Sequence, residues 1–431
     1  MYQQAKVIKC LSGLIGFSND YNSNVPDIDE DLLASRSGRY VNQLHELLAY
    51  ENILIAANQF NRYTPKVWND TKNYKTGEVI AHENVLYRAL RDNVNKSPEA
   101  SGDDWATTNA FSHYLRTKYT QSALAMIDTV VQSNKLNGTA RTLFASRPLF
   151  VGQGYIQHQI TKNGAFRGIR ITLRNADTIM LLRAIGLQTT AAQNGIKVYV
   201  YHSSRLSPVK IIEVNQPAGI QYTWHVLTEE VQLAFKELSA HTLGGHWYIG
   251  VYEDELTGNL IEKEVSFTGA GSCGSCTHAV ENSNLYRSWS SLIGVKSFYV
   301  AEENTYVDKS LWDETDEVYD DRRAFGINLQ FAVECDITDV LCENSGVLTT
   351  AFAQQLKVDM LRALSVSLRN NSQNEKIAAL AKYELEGSEG KPGEGAALQR
   401  ALKALHVDLS GMSKLCAGKS LTQFSQSSVW G

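Results

Sequence analysis

The spacing of apolar positions changes along the chain and divides it. From about residue 29 to 60, Leu32, Leu33, Tyr40, Leu44, Leu47, Leu48, Ile53 and Leu54 recur at helical intervals, with Gly38 as a break. Asp27, Asp29, Glu30 and Asp31 precede this stripe and suit the positive end of a helix dipole. The same period returns from His113 to about Lys135 through Leu115, Tyr119, Leu124, Ile127 and Val131. Both stripes read as core-facing. Between them, residues 66 to 106 are rich in turn formers and aromatics, so the pattern predicts a helical hairpin that carries a small β module.

From about 140 to 300 the period shortens. GIRITLRN, TIMLLRAIGL, IKVYVYHSS, QYTWHVL, HWYIGVYE and KSFYVAE are β-like runs separated by Gly, Asn and Pro. In IKVYVYHSS, Val198 and Val200 face one way and Tyr199 and Tyr201 the other, as on a strand with one buried and one aromatic face. Strands at this spacing, without intervening helices, predict an antiparallel β-sandwich of jelly-roll type. The last hundred residues give a strand, INLQFAVEC, a helix, TTAFAQQLKVDMLRALSVSL, a loop, and a helix, AALQRALKALHVDL. LEGSEGKPGEGA reads as a flexible loop, and GKSLTQFSQSSVWG, after Cys416, as a tail ordered only by a neighbour. The expected fold is multidomain α+β, divided into residues 1–65 (N-terminal segment and helix), 66–107 (β module), 108–139 (second helix of the hairpin), 140–305 (antiparallel sandwich) and 306–431 (C-terminal strand, helices and tail).

Composition narrows the class. At 431 residues, with 43% hydrophobic and 20% charged residues, the chain folds and exceeds one ordinary core. A net charge of −5 supplies no general attraction for nucleic acid or anionic lipid. No apolar run approaches 18 residues, so no membrane span is expected, and MYQQAKVIKCLSGLIGFSND reads as a mature terminus. Six cysteines are too few for a disulfide scaffold, which points to assembly in a reducing compartment.

Few residues carry candidate chemistry. In CGSC, Cys273 and Cys276 are spaced to meet one zinc ion, and Cys335 with Cys342 offers a second, more widely spaced pair; a structural zinc, disulfides and unlinked thiols are the alternatives, and no other cofactor is called for. His241 and His246 lack an acidic partner at metal-ligand spacing, and GAGSCGSC lacks the lysine of a phosphate loop. His202 beside Ser203 and Ser204 has no nucleophile elbow, and the acidic run DETDEVYDDRR reads as a solvated loop. No catalytic residue is assigned.

The module is more informative. Trp68, Tyr74, Gly77, Val79, Tyr87, Ala89, Asn93, Pro98 and Trp105 form a pattern that resembles the small chitin-binding type of carbohydrate-binding module, with Asn84 where that family usually has glycine. The resemblance implies Tyr87 and Trp105 as module core and Trp68 and Tyr74 as an exposed glycan-stacking face. Across most of the chain, SGRYVNQLHELLAYENI, GIRITLRNADTIMLLRAIGLQ, VYVYHSS, GGHWYIGVYE, CGSC and VECDITDVLCEN resemble uncharacterised structural proteins of tailed phages of Bacteroidetes-type hosts. That resemblance implies a virion component of neck, tail or baseplate, made in the host cytoplasm and set in a ring with copies of itself and other virion proteins, whose module touches a cell-surface glycan. The rival from another class is a free-standing glycan-binding protein, or the non-catalytic part of a glycan-degrading system.

Overall fold

The computed structural model describes residues 2–18, 28–60, 65–94, 96–133, 142–152, 158–217, 222–236, 244–265, 267, 279–320, 323–366, 372–388, 390–405, 407–408, 412–413 and 415–416. They form a multidomain α+β protein of two compact units. One comprises residues 2–137 and 338–410, the other 138–337 and 411–431.

The first run of the helical unit holds α1 (Gln4–Leu11), β1 (Ile15–Gly16), α2 (Glu30–Leu33), β2 (Arg39–Tyr40) and α3 (Tyr50–Phe60). The helical stretch expected from 29 to 60, with a break at Gly38, is broken there and into more pieces than expected. Ser35 is one cause: its hydroxyl donates to the Arg39 carbonyl at 2.7 Å and lies 3.1 Å from that of Leu14, which offers the backbone an alternative to helical bonding. The chain then turns at Gly38, φ +70°, and β2 runs parallel to β1. A Cβ on Gly16 would lie 2.8 Å from the carbonyl oxygens of Leu33 and Ala34, so the close crossing requires glycine. Leu32, Val41, Leu48 and Ile53 are nonetheless buried, so the stripe marked core although it did not mark one helix.

The β module follows: β3 (Lys66–Val67), β4 (Asn73–Tyr74), β5 (Val79–His82), β6 (Val85–Ala89), β7 (Asn93–Val94) and β8 (Trp105–Thr108). It gives way directly to α4 (Ala110–Ser133), so α3 and α4 flank the insert as expected.

The second unit contains β9 (Thr142–Pro148), β10 (His158–Gln159), β11 (Phe166–Leu173), β12 (Thr178–Leu187), β13 (Gln193–His202), β14 (Lys210–Gln216), β15 (Thr223–Ala234), β16 (Trp247–Tyr252), β17 (Ile261–Glu264), α5 (Ala279–Trp289), β18 (Ile293–Val300), β19 (Val318–Asp320), β20 (Arg323–Ala324) and β21 (Ile327–Cys335). One sheet runs β15-β12-β21-β9 and the other β14-β13-β16-β11-β18-β19. Every pairing within them is antiparallel. Taken in chain order, β9, β11, β12, β13, β14, β15, β16 and β21 alternate between the sheets as the eight strands of a jelly roll do, with β18 and β19 added to one edge. The sandwich thus extends beyond residue 305, because β21 lies between β12 and β9 and inserts Ile327, Leu329, Phe331 and Val333 into the core.

Val198 and Val200 enter that core, while Tyr199 and Tyr201 face outward. The outward aromatic face is not bare. Leu311 and Trp312 lie over it with Phe166, Tyr248, Tyr252 and Phe298, so the segment leading to β19 acts as a strap across the sheet. The small sheet β10-β17-β20 completes the unit.

The chain then returns to the helical unit with α6 (Thr338–Glu343), α7 (Ser345–Ser365), α8 (Ser372–Glu386), the two-residue strands β22 (Gly387–Ser388) and β23 (Lys391–Pro392), and α9 (Glu394–Ala404). Helix α7 buries Leu348, Phe352, Leu356, Met360, Leu361 and Leu364 and packs against α4, α8 and α9. Residues 306–431 are therefore not a separate segment: the strand joins the jelly roll and the helices complete the helical unit. The expected loop LEGSEGKPGEGA is a tight antiparallel hairpin, with Gly387 and Gly390 at positive φ, between two helices of which α8 was not anticipated.

Candidate glycan-contact face and the fate of the cysteines

The module is built on the sheet β3-β5-β6-β8 and the pair β4-β7. Glu83 and Asn84 join β5 to β6 with φ of +47° and +67°, as a two-residue hairpin turn demands. Asn84 thus occupies the left-handed position where the resembling family has glycine. Alternation along β5 and β6 places Ile80, His82, Tyr87 and Ala89 on one face and Val79, Ala81, Leu86 and Arg88 on the other.

The first face carries the module core: Tyr74, Ile80, Ala89 and Trp105 are buried, with Trp68 and Tyr87 packed against them. Tyr74 is 1% exposed and meets the Trp105 ring edge-on, at 5.2 Å between centroids. Its hydroxyl accepts from the Asn69 amide at 2.6 Å, and Lys72 sits 4.7 Å over its ring. The Trp105 indole donates to the Lys96 carbonyl at 3.0 Å. Trp105 is core as expected, whereas Tyr74 is not an exposed ligand residue. A unit of this size has few aliphatic residues to bury, and pairing of β4 with β7 turns Tyr74 inward to fill the gap. Tyr87 is half-buried.

Trp68 remains a surface aromatic, half-buried, with its ring 5.2 Å from that of His82. Its indole N–H has no hydrogen-bond partner among the described residues. Beside it, the His82 imidazole and the Glu83 and Glu99 carboxylates place their ligand atoms within 4.8 Å of one another. The face thus offers one aromatic edge and three polar groups able to accept sugar hydroxyls. His82 and Glu83 come together at the two-residue turn, a signal present in the sequence, whereas Glu99 is brought from the loop before β8 and carries no local signal.

The opposite face anchors the module. Thr108 donates to Asp29 at 2.8 Å, Arg116 of α4 bridges Asp29 and Asp31, and Arg88 reaches Asp31 at 3.8 Å. The acidic run is therefore a docking device as well as a helix start.

The four grouped cysteines do not converge. Cys335 is bonded to Cys416 and Cys342 to Cys10, with Cα separations of 5.7 and 5.4 Å, so neither is available to a zinc ion. Each bridge lies within one unit, and the partners come from the two ends of the chain. Cys273 and Cys276, like His241, lie outside the described residues.

Other charged groups are structural. His246 accepts from or donates to Thr172 at 2.8 Å, and His202 is buried, paired with Ser204 at 2.7 Å across a local turn. The acidic run is not simply solvated: Asp313 caps a turn by accepting from Thr315, whereas Glu317 is buried and receives Trp312 and Tyr319, at 3.3 and 2.6 Å, and Arg170 at 3.2 Å. Burial pushes the Glu317 carboxyl above its usual range, against the opposing pull of Tyr248 and Arg170. Glu253 is also buried and receives the amides of Asn163 and Ala165 and the Arg167 guanidinium, which rests against the Tyr299 and Phe325 rings. Lys263 of β17 is buried without a hydrogen-bond partner among the described residues, and burial brings its pKa down to about 8.

Among the described residues, no helix is long and apolar enough to cross a membrane. Compared with models of known protein families, with curated proteins and with solved structures, the chain matches none.

Proposed function

We propose that the chain is a non-catalytic structural subunit of a tailed-phage particle, of its neck, tail or baseplate, that packs in a ring with copies of itself and other virion proteins. The observation that carries this reading is the jelly roll with its outer aromatic face sealed by the Trp312 strap. Double-sheet jelly rolls serve capsid and lectin domains alike, so the inference is one of architecture joined to the sequence resemblance. The two disulfides overturn the expectation of a reducing compartment; on this reading they would close only once the particle has left the host cytoplasm.

Mass photometry of the recombinant chain, beside cryo-EM of particles containing it, tests the reading. A ring-sized oligomer or density within a tailed particle is expected. A chain that stays monomeric and is absent from particles overturns it.

Trp68 beside His82, Glu83 and Glu99 favours a second reading, a glycan-binding protein whose module does the binding. Chitin oligosaccharides should then perturb the Trp68 indole resonance, and Trp68→Ala should abolish retention on the polysaccharide.

A further inference from the structure

The jelly-roll unit contains a cavity of about 340 Å³ that borders the strap, whose Glu314 and Glu317 pair with the wall residue Arg170. It lies where β18 borders β11 and α5, and its wall includes Arg170, Thr172, Arg174, Tyr286, Trp289 and Lys296. The register explains this composition. On β11, Ile169, Ile171 and Leu173 enter the core, so Arg170, Thr172 and Arg174 face out; on β18, Gly294 and Lys296 stand opposite Thr172 and Arg170. β19 pairs only with residues 297–299, which leaves the first half of β18 without a strand beyond it among the described residues. Helix α5 supplies Tyr286 and Trp289 there.

The charges are unequal. Arg170 is already matched by Glu314 and Glu317, at 2.7 and 3.2 Å. Arg174 has no side-chain partner among the described residues, and the Lys296 ammonium rests 4.5 Å over the Tyr319 ring without a carboxylate. Trp289 is 2% exposed, yet its indole N–H has no acceptor among the described residues. A buried donor without a partner costs about 1–3 kcal/mol and is a reason to look for an external acceptor. A Cβ on Gly294 would fit, at 3.7 Å from Thr172 and 3.8 Å from the Arg174 guanidinium, so only a larger side chain there would crowd the site.

The geometry points to a binding site for a carboxylate-bearing sugar ring, such as a uronic acid unit of an acidic polysaccharide. The planar Arg174 fork suits a carboxylate and Lys296 adds a second positive charge. Ser290 offers a hydroxyl to the ring beside the Thr172 hydroxyl, which is already bonded to His246, Tyr286 offers a flat face, and Trp289 a donor. One unpaired guanidinium, with a second cation held on the Tyr319 ring, suits a single carboxylate better than a run of phosphates. The site goes beyond the particle reading and is tested by ligand rather than by assembly, so the two can fail separately.

The test is calorimetry and saturation-transfer NMR on the full chain with a glucuronate-containing trisaccharide, its neutral glucose analogue and inorganic phosphate. Saturable binding of the glucuronate sugar alone is expected. Arg174→Ala and Gly294→Leu, each checked by its melting curve, should weaken it at least about tenfold, and Trp289→Phe, which keeps a ring but removes the N–H, roughly two- to tenfold. Trp68→Ala should leave it unchanged. The assignment is overturned by absence of binding at millimolar sugar, by equal binding of phosphate or the neutral analogue, or by variants that bind like the parent chain.

Discussion

Reduction of the two disulfides should destabilise each unit separately. Cys335 and Cys416 are 81 residues apart and Cys10 and Cys342 are 332 apart. Closing loops of those lengths removes chain entropy from the unfolded state worth about 4.5 and about 5.8 kcal/mol in the loop-closure model, although measured effects cluster nearer 2–4 kcal/mol. Taking about 3 kcal/mol for each, a unit of roughly 200 residues should melt about 6–12 °C lower without its bridge. Scanning calorimetry, with hydrogen exchange to assign each transition, should show Cys416→Ser lowering the jelly-roll transition and Cys10→Ser the helical one. In the oxidised, denatured chain, the six cysteines less the four in bridges leave two thiols at most to titrate. Six titratable thiols, with melting indifferent to reductant, would refute the pairing and return Cys335 and Cys342 to the metal-site reading.

Three further outcomes follow from buried groups. Glu253→Gln removes the charge partner of the buried Arg167 guanidinium and should cost about 3–5 kcal/mol, read as a lowered jelly-roll transition, whereas Arg167→Met with Glu253→Gln, which keeps an acceptor for the Asn163 and Ala165 amides, should recover most of the loss. Lys263→Met should stabilise the same unit by about 1–3 kcal/mol at neutral pH. Because the folded pKa of Lys263, about 8, lies below the unfolded value near 10.4, the unfolded chain binds the extra proton between them; stability of the parent should rise with pH across that window, and the advantage of the variant should shrink. A urea titration at pH 7 and pH 10 checks both signs. Tyr74→Ala should open the module by about 3 kcal/mol or more, seen as faster exchange in residues 66–108, whereas Trp68→Ala, at a half-buried position, should leave the protection largely intact.

Several elements were legible because one interaction dominated them. The jelly-roll strands alternate, since each has a core face, and α7 is long enough for its apolar stripe to outweigh everything else. Helix α8 was missed because its exposed Leu380 and Tyr383 blur any stripe; Ala381 is buried, and the helix packs on α7. The break after α2 depends on serine hydroxyls reaching carbonyls remote in sequence, such as that of Leu14. The disulfides were hidden for a related reason: Cys335 and Cys342 are neighbours in sequence but stand on either side of the boundary between the units, and their partners come from the opposite ends of the chain. In the module, four aromatics competed for core positions, and only strand pairing decided that Tyr74 went in and Trp68 stayed at the surface.

That division has a consequence for how the module works. A tethered sugar-binding domain would hang on a flexible linker and search a volume. Here a single residue, Asn109, separates β8 from α4, and its side chain accepts the Ser112 amide at 2.7 Å. Asp29, Asp31, Arg88, Thr108 and Arg116 meanwhile hold the opposite face of the sheet. The Asp29 and Arg116 side chains are only 15% and 16% exposed, so this pair is less screened than a surface bridge. Trp68 and His82 are consequently presented in one fixed direction by the helical unit. For a single copy, a fixed presentation offers little beyond a lower ordering cost on binding. In a ring it would align every copy of the face in one sense, and weak contacts with a polymeric glycan would then reinforce one another through effective concentration. Under the proposed function, the rigid mounting of Trp68 and His82 on every copy is what would let weak sugar contacts reinforce one another.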